Sequence, residues 1–219
     1  MKSARTFSLL ALASMALLSP SCVSVKPVMK NVASAPIGKR LPALEIYADQ
    51  GPLAMNDGAL PEDPLKLFQQ ECRTNLLEPT DSATFGYAKL VVKKVRTLRT
   101  GRGLQGLQVL TLMIPSMFGV PLEWYRTTLQ AELQVTDAAG NLLGTYAGTG
   151  NSNVKVAMYH GYSQTAAPRL ADIIALRSAM AQIRPQLDTA TARLRPLLLA
   201  GGTVENPTLP ATTSVGETR

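Results

Sequence analysis

The chain has 219 residues, with 22 lysines and arginines, 15 acidic residues and one histidine, and its formal charge is +7. One histidine and two cysteines are too few for the common zinc sites, so we expect no metal and no cofactor. The moderate positive charge comes without a nucleic-acid-binding motif, so we expect no nucleic-acid partner. The length is enough for one domain with a sizeable core.

The first 21 residues have the layout of an export signal. Lys2 and Arg5 precede an apolar run from Phe7 to Leu18, and small residues follow. The apolar run is about a dozen residues long, against roughly 20 for a helix that spans a bilayer core. We therefore expect residues 1–21 to be a signal peptide that is removed.

The residue after this segment is Cys22, preceded by Ser21. With that cysteine the segment resembles the signals of Gram-negative envelope lipoproteins. The resemblance implies that Cys22 is lipidated and becomes the mature N-terminus, so that the membrane is a partner. Val23 in place of an aspartate implies an outer-membrane location facing the periplasm. Ordinary secretion and a retained signal anchor are the open alternatives.

The rest of the chain divides into three parts. We predict that residues 22–40 are the lipidated N-terminus and a flexible tether, that 41–200 form a single domain, and that 201–219 are a disordered tail. Lipidation of Cys22 would leave Cys72 without a disulfide partner. Cys72 lies on the apolar face of a predicted helix, where a buried inert thiol and a reactive one are the two interpretations.

The first half of the domain shows a strand, a helix and a second strand. Leu44, Ile46 and Ala48 alternate in the first strand, and the helix has Pro64 at its start and Pro79 beyond its end. In the second strand the alternation fails at two adjacent lysines, which indicates a β-bulge. The predicted ranges are Leu41–Ala48, Asp63–Leu77 with Asp63 as the cap, and Thr84–Arg99 with the bulge at Lys93-Lys94.

The second half shows a β-hairpin and a helical region. Residues 123–137 keep a sustained period of two, with Leu129, Ala131, Leu133 and Val135 on the apolar side, as a half-buried strand requires. The turn from Asp137 to Gly140 leads to a partner strand over 142–149. Gly148, Gly150, Asn151 and Asn153 should end that strand, and 154–158 is a possible further strand. A helix begins near Thr165, with Asp172 and Arg177 off its apolar stripe. Pro185 should end or kink this helix, and a second piece should continue to residue 201.

Two neighbouring segments are candidates for a contact surface. The first is a run of basic residues on the second strand, in a region from 82 to 122 without any acidic residue. Lysines on the solvated face of an edge strand are the simpler interpretation. The second is the apolar segment 107–122, which is either a buried strand and turn or an exposed tip that binds lipid or a partner. The candidate contact residues are Lys89, Lys93, Lys94, Arg96, Arg99, Arg102, Ile114, Met117 and Phe118.

Catalytic residues are hard to assemble from this sequence. His160 is the only histidine, so a hydrolase would have to combine it with Ser163 and a distant acid. A histidine in a connecting loop without a catalytic role is the simpler interpretation.

These elements predict an α+β fold, a two-layer sandwich with an antiparallel-rich sheet and two helices packed on one face. We expect a non-enzymatic envelope lipoprotein that contacts a protein or lipid partner at the membrane surface. The alternatives are an accessory lipoprotein of a transport or assembly system that acts through its sheet edge, and a hydrolase that uses His160.

Overall fold

The computed structural model describes residue 28 and residues 34–79, 83–112, 114–157 and 161–204. The predicted signal peptide, Cys22, His160 and residues 205–219 of the predicted tail lie outside this part. The described residues form five strands, namely β1 (Glu45–Asp49), β2 (Gly86–Thr100), β3 (Glu123–Asp137), β4 (Leu142–Asn151) and β5 (Val154–Val156). The α-helices whose bounds lie in this part are α1 (Asp63–Glu71), α2 (Arg102–Leu110), α3 (Ile114–Met117) and α4 (Ala167–Ala200), with a 3₁₀ helix at Gly51–Met55 and a π-helical turn at Cys72–Leu76.

The strands form one mixed sheet with the order β1-β2-β3-β4, and β5 pairs with the start of β3. The β1–β2 pair is parallel and the other pairs are antiparallel. Phe68 of α1 and Leu187 of α4 are buried in the same core as Leu90 and Leu133 of the sheet. Both helices therefore cover one face, which we call the covered face, and the opposite face is the open face. The predicted α+β sandwich is confirmed.

The alternation in β3 was the strongest strand signal in the sequence, and its predicted bounds are those of the structure. Its buried side chains point to the covered face, and the turn at Asp137 leads into β4, as predicted. In β2 the register against β3 shifts between Val92 and Lys94, so Lys93 is the extra residue of a bulge. The predicted bulge is confirmed, and beyond it the residues of β2 that face the helices change from even to odd numbers.

Strand β4 ends at Asn151, one of the residues predicted to end it, and Gly148 and Gly150 lie within the strand. They lie where α4 crosses the sheet most closely. A Cβ atom added to Gly150 would stand 1.7 Å from the carbonyl oxygen of Ala175, and one added to Gly148 would stand 2.3 Å from that of Ala179. Side chains are excluded here because the helix backbone occupies their space.

Helix α4 runs from Ala167 to Ala200 through Pro185 and Pro196, so it does not end at Pro185, which was one of the two predicted outcomes there. Proline removes the hydrogen bond to the carbonyl four residues earlier. Here Pro185 and Ala181 are both exposed, so water can bond the carbonyl that the proline leaves without a partner.

Three arginines of α4 connect it to the chain segment 63–78. Arg169 donates to both carboxylate oxygens of Asp63, at 2.6 and 2.8 Å. Asp63 therefore forms an ion pair. The prediction that its side chain caps α1 is wrong, because the start of this helix has no side-chain cap hydrogen bond. The other two pairs are Arg184 with Glu71 at 2.5 Å and Arg195 with Glu78 at 2.6 Å.

The folded domain begins before the predicted boundary at Leu41. Ile37 is 5% exposed, and its N–H donates to the carbonyl of Asn75 at 3.0 Å. At the other end, the N–H of Val204 donates to the carbonyl of Thr84 at 2.8 Å. Cys72 is buried, and burial raises the pKa of its thiol well above the ordinary value. The inert interpretation of this cysteine is thus favoured.

The outer edge of β4 is covered by side chains of α4. The Oε1 atom of Gln182 accepts from the N–H of Thr149 at 3.1 Å, and Gln186 donates to the carbonyl of Ala147 at 2.7 Å. Arg193 donates to the carbonyl of Leu143 at 3.3 Å. These groups occupy hydrogen-bonding positions that another strand would otherwise use.

Candidate functional site

The segment between β2 and β3 is folded into the two short helices α2 and α3, which we call the apolar tip (residues 101–122). It is not the buried strand that was one of our two interpretations. Its large apolar side chains are exposed: Leu107 53%, Val109 69%, Leu110 83%, Leu112 83%, Ile114 53% and Phe118 84%. Met113 and the side chains of Arg102 and Met117 lie outside the described part of the chain.

The polarity of the tip is inverted relative to an ordinary helical hairpin. Its buried side chains are polar, since Gln108 is 1% exposed and Ser116 is fully buried. The Ser116 hydroxyl donates to the Gln108 side-chain oxygen, and the Gln108 amide donates to the carbonyl of Pro121 at 3.1 Å. The tip is thus held together by hydrogen bonds while its leucines face outward. An exposed apolar patch of this kind is typical of a contact surface.

The backbone of the tip is shaped for a sharp turn. Leu112, between the two helices, has φ of 50°, a left-handed conformation that is unfavourable for a leucine. Gly101, at the start of α2, has φ of 97° and packs against the ring of Trp124. Strained residues of this type are concentrated at functional sites.

The predicted basic residues do not form one surface, because the bulge at Lys93 sends them to two faces. The register places Lys89, Lys93, Lys94 and Arg96 on the open face. Lys89 lies 3.8 Å from Asp49 and Lys93 lies 3.4 Å from Glu132.

Arg99, by contrast, is on the covered face, opposite Tyr125. Its guanidinium lies 4.8 Å above the Tyr125 ring and pairs with Glu123, which is fully buried, at 3.2 Å. Neutralisation of a buried carboxylate is the structural role of this arginine. Arg99 therefore lies on a different face from Lys89, Lys94 and Arg96, with which it was predicted to share a contact surface.

Other residues join the open face near the tip, and the sequence reasoning missed them. Register with β2 and β5 places Trp124, Arg126 and Lys155 on this face beside the tip. Leu98 is 44% exposed there. With Lys94 and Arg96 they make a basic and aromatic surface next to the exposed leucines, which we call the collar. Pairing of these strands, which brings the residues together, has no local signal in the sequence.

A second site lies on the covered face at the same end of the molecule. A cavity of about 220 Å³ is lined by Met55, Asn56, Asp57, Thr97, Arg99, Pro168 and Asp172. Asp172 is 6% exposed, although the sequence placed it off the buried stripe of α4. Burial raises the pKa of Asp172 to about 6, and the hydrogen bonds from Thr127 and Asn56 partly oppose this shift.

Val28 is the one residue before position 34 that the structure describes. Val28 packs against a small core that contains Tyr125, Val154 and Leu170, with Leu122 of the tip at its margin. Cys22 is six residues earlier in the sequence, and six extended residues reach about 20 Å. The length of the chain between them thus limits the candidate lipidation site to about 20 Å from Val28.

The hydrolase interpretation gains no support from Ser163. Its hydroxyl accepts from the N–H of Ala166 at 3.2 Å and contacts the hydroxyl of Thr165, as a residue at a helix start does. His160 lies outside the described residues. Within the described part, no group of three histidine, cysteine or acidic side chains is placed to hold a metal ion. No described helix is both long and apolar enough to cross a membrane.

No known family matches this sequence, and no curated protein is similar to it.

Proposed function

We propose that the protein is a membrane-surface binding module that inserts its apolar tip into the interface of a lipid bilayer. More specifically, it is an envelope lipoprotein that is anchored through Cys22 and acts without catalysis. The observation that carries the proposal is the inverted polarity of the tip. Leu110, Leu112 and Phe118 each expose more than four fifths of their surface while Gln108 and Ser116 are buried.

The basic residues of the collar favour a lipid membrane as the partner. Lys94, Arg96, Arg126 and Lys155 lie on the open face next to the tip, and the sequence from 82 to 122 has no acidic residue. Each basic residue near an anionic membrane surface contributes about 1 kcal/mol to binding. Apolar insertion combined with cationic attraction is the usual pairing in interfacial binding, and Trp124 is of a type enriched at this depth.

The position of Val28 favours one membrane as the target of both the lipid anchor at Cys22 and the apolar tip. A lipidated Cys22 would lie within about 20 Å of Val28, which packs against the same small core as Leu122 of the tip. Once the anchor is in the membrane, the tip is held close to the same membrane at a high effective concentration. Even a weak contact of the tip therefore adds to the total affinity.

The test is vesicle flotation of the chain from residue 22 onward carrying Cys22→Ser, so that only the folded domain binds. We expect flotation with anionic vesicles and a blue shift of the emission of Trp124, the single tryptophan. The double substitution Leu110→Glu and Phe118→Glu should weaken binding by at least about 100-fold. Each of the two side chains, once buried in the bilayer, contributes about 1.5–3 kcal/mol to binding.

The matched control is Leu142→Glu. Leu142 is 60% exposed, but it lies at the turn between β3 and β4, at the other end of the sheet. This substitution should leave flotation unchanged. Equal binding of the tip variant and the control variant, or no binding of the unaltered domain, would contradict the proposal.

A further inference from the structure

The cavity at Asp172 is built around a carboxylate in a fixed orientation. The Oδ1 atom of Asp172 accepts hydrogen bonds from the hydroxyl of Thr127 at 2.8 Å and from the amide of Asn56 at 3.1 Å. Asn56 is fixed in turn by Thr97, whose hydroxyl oxygen is 3.0 Å from the same amide nitrogen. The other oxygen, Oδ2, is buried and has no hydrogen-bond partner within the described residues. A buried carboxylate oxygen without a donor costs free energy, so this position is suited to a donor from outside.

The charges around the cavity favour a cation. Asp57 is a second carboxylate on its lining. The one basic residue on that lining, Arg99, already has its charge balanced by the fully buried Glu123. The four side chains Asp57, Asp172, Glu123 and Arg99 have a negative sum when ionised, which disfavours a phosphate or carboxylate ligand on electrostatic grounds.

The remaining lining fits a short carbon chain. Met55 is 92% exposed at the rim, and Pro168 at the start of α4 forms an apolar wall. A volume of about 220 Å³ suits a molecule of a few heavy atoms, below the size of most drug-binding pockets. Oδ2 itself is buried, so a ligand donor reaches it only when the side chains that cover it shift.

We propose that this cavity binds the ammonium group of a small primary amine, with Asp172 Oδ2 as the acceptor and Met55 and Pro168 against the carbon chain. Such an ammonium belongs either to a free amine or to an ethanolamine lipid headgroup. The lipid source rests on the proposed function, because a headgroup reaches the cavity only if the tip, at the same end of the molecule, is in the membrane. The free-amine source does not.

The first experiment titrates ethanolamine, and choline as the comparison, into the mature chain carrying Cys22→Ser and follows amide shifts by NMR. Choline carries the same charge but no N–H donor. We expect ethanolamine to bind at least about tenfold more tightly, since a hydrogen bond to a charged group is worth about 1.5–3 kcal/mol. Equal affinity for the two cations, or no ethanolamine binding in the upper millimolar range, would overturn the proposal.

Asp172→Asn should abolish this preference, and Asp188→Asn, an exposed aspartate on the same helix, should preserve it. The ethanolamine and choline comparison uses the unaltered pocket, so it decides the question even if Asp172→Asn does not fold.

Flotation then identifies the source of the amine. Vesicles of equal anionic content are prepared with either phosphatidylethanolamine or phosphatidylcholine. Stronger binding to the phosphatidylethanolamine vesicles, if it is lost in Asp172→Asn, supports the lipid headgroup as the source. Equal binding to the two kinds of vesicle, when the NMR titration shows that ethanolamine binds, supports a free amine. If no vesicle binds, the proposed function fails while the ethanolamine titration still decides the cavity.

Discussion

Asp172 is the residue whose environment differs most from that of an ordinary surface carboxylate. Its pKa rises from 3.8 to about 6 because burial disfavours the charged form. Arg99 and Asp57 face it across the larger cavity, and Asp63 and Arg169 line a smaller cavity on its other side. The ion pair between Asp63 and Arg169 leaves neither charge available to compensate Asp172.

The sign of the effect on stability follows from the raised pKa. Below pH 3.8 the aspartate is neutral in the folded and the unfolded chain, so it costs nothing. As the pH rises towards 6 the unfolded chain ionises first, and the free energy of unfolding falls. Above pH 6 the loss levels off at about 3 kcal/mol, the value that corresponds to a shift of about two pKa units.

We therefore predict that Asp172→Asn is more stable than the natural protein by up to about 3 kcal/mol at pH 8 and by almost nothing at pH 4. The measurement is urea unfolding of both proteins at the two pH values. Asp57→Asn, which changes an exposed carboxylate of the same cavity, is the control and should show no such pH dependence. A constant difference between pH 4 and pH 8 would refute the role of ionisation.

Sequence periodicity could not reveal this residue. Asp172 lies in a helix between Ala171 and Ile173, and a polar residue next to an apolar stripe is usually solvated. It is buried because Thr127 of β3 and Asn56 of a distant loop are brought against it. Both contacts join residues far apart in the sequence, so they have no local signal.

At the scale of the elements, the crossing of α4 over β4 is the tightest contact of the fold. Gly150→Ala would place a methyl group within 1.7 Å of the Ala175 carbonyl, so the helix must move away from the sheet. Overpacking of this kind costs about 1–3 kcal/mol or more. We predict a corresponding fall in the free energy of unfolding, measured by circular dichroism in urea.

Gly106→Ala is the matched control for that prediction. Gly106 lies in α2 with no atom within 4 Å of the added methyl group, and its φ is ordinary. Alanine should be neutral there or stabilise the helix by up to about 1 kcal/mol. Equal destabilisation by the two alanines would show that glycine flexibility, and not the helix contact, is the cause.

The elements also show which sequence signals were sufficient. β3 was predicted at its true bounds because one of its faces is buried along the whole strand, and period two records that burial directly. The segment 107–122 was ambiguous because apolar content alone does not distinguish a core from a contact surface. The informative detail was the position of Gln108 and Ser116 relative to the leucines, which becomes clear only when the helices are in place.

At Pro185 the sequence pattern suggested a helix end that the structure does not have. A proline inside a helical pattern usually marks a boundary, but its cost depends on whether the carbonyl four residues earlier is buried. The stripe of α4 continues to Leu194 and Leu198, which are fully buried, and this long-range packing outweighs the lost hydrogen bond.

At the scale of the whole molecule, the proposal depends on the lipidation of Cys22. We predict that a radiolabelled fatty acid is incorporated into the full-length protein and that Cys22→Ser abolishes incorporation and releases the protein from membranes. Cys72→Ala is the control, because that thiol is buried and should not be acylated. Label that persists in Cys22→Ser, or is lost in Cys72→Ala, would contradict the proposed anchor.

The coverage of β4 by Gln182, Gln186 and Arg193 also limits how copies of this protein can associate. A sheet that grows from molecule to molecule needs an open edge on both sides of every copy. Here the backbone of one outer strand already bonds to the side chains of α4, and the described part of β1, on the opposite side, has no strand beyond it. Strand addition is therefore restricted to a single side. A pair formed through β1 would use the open edge of both copies, so the described sheet favours a closed dimer over a fibre.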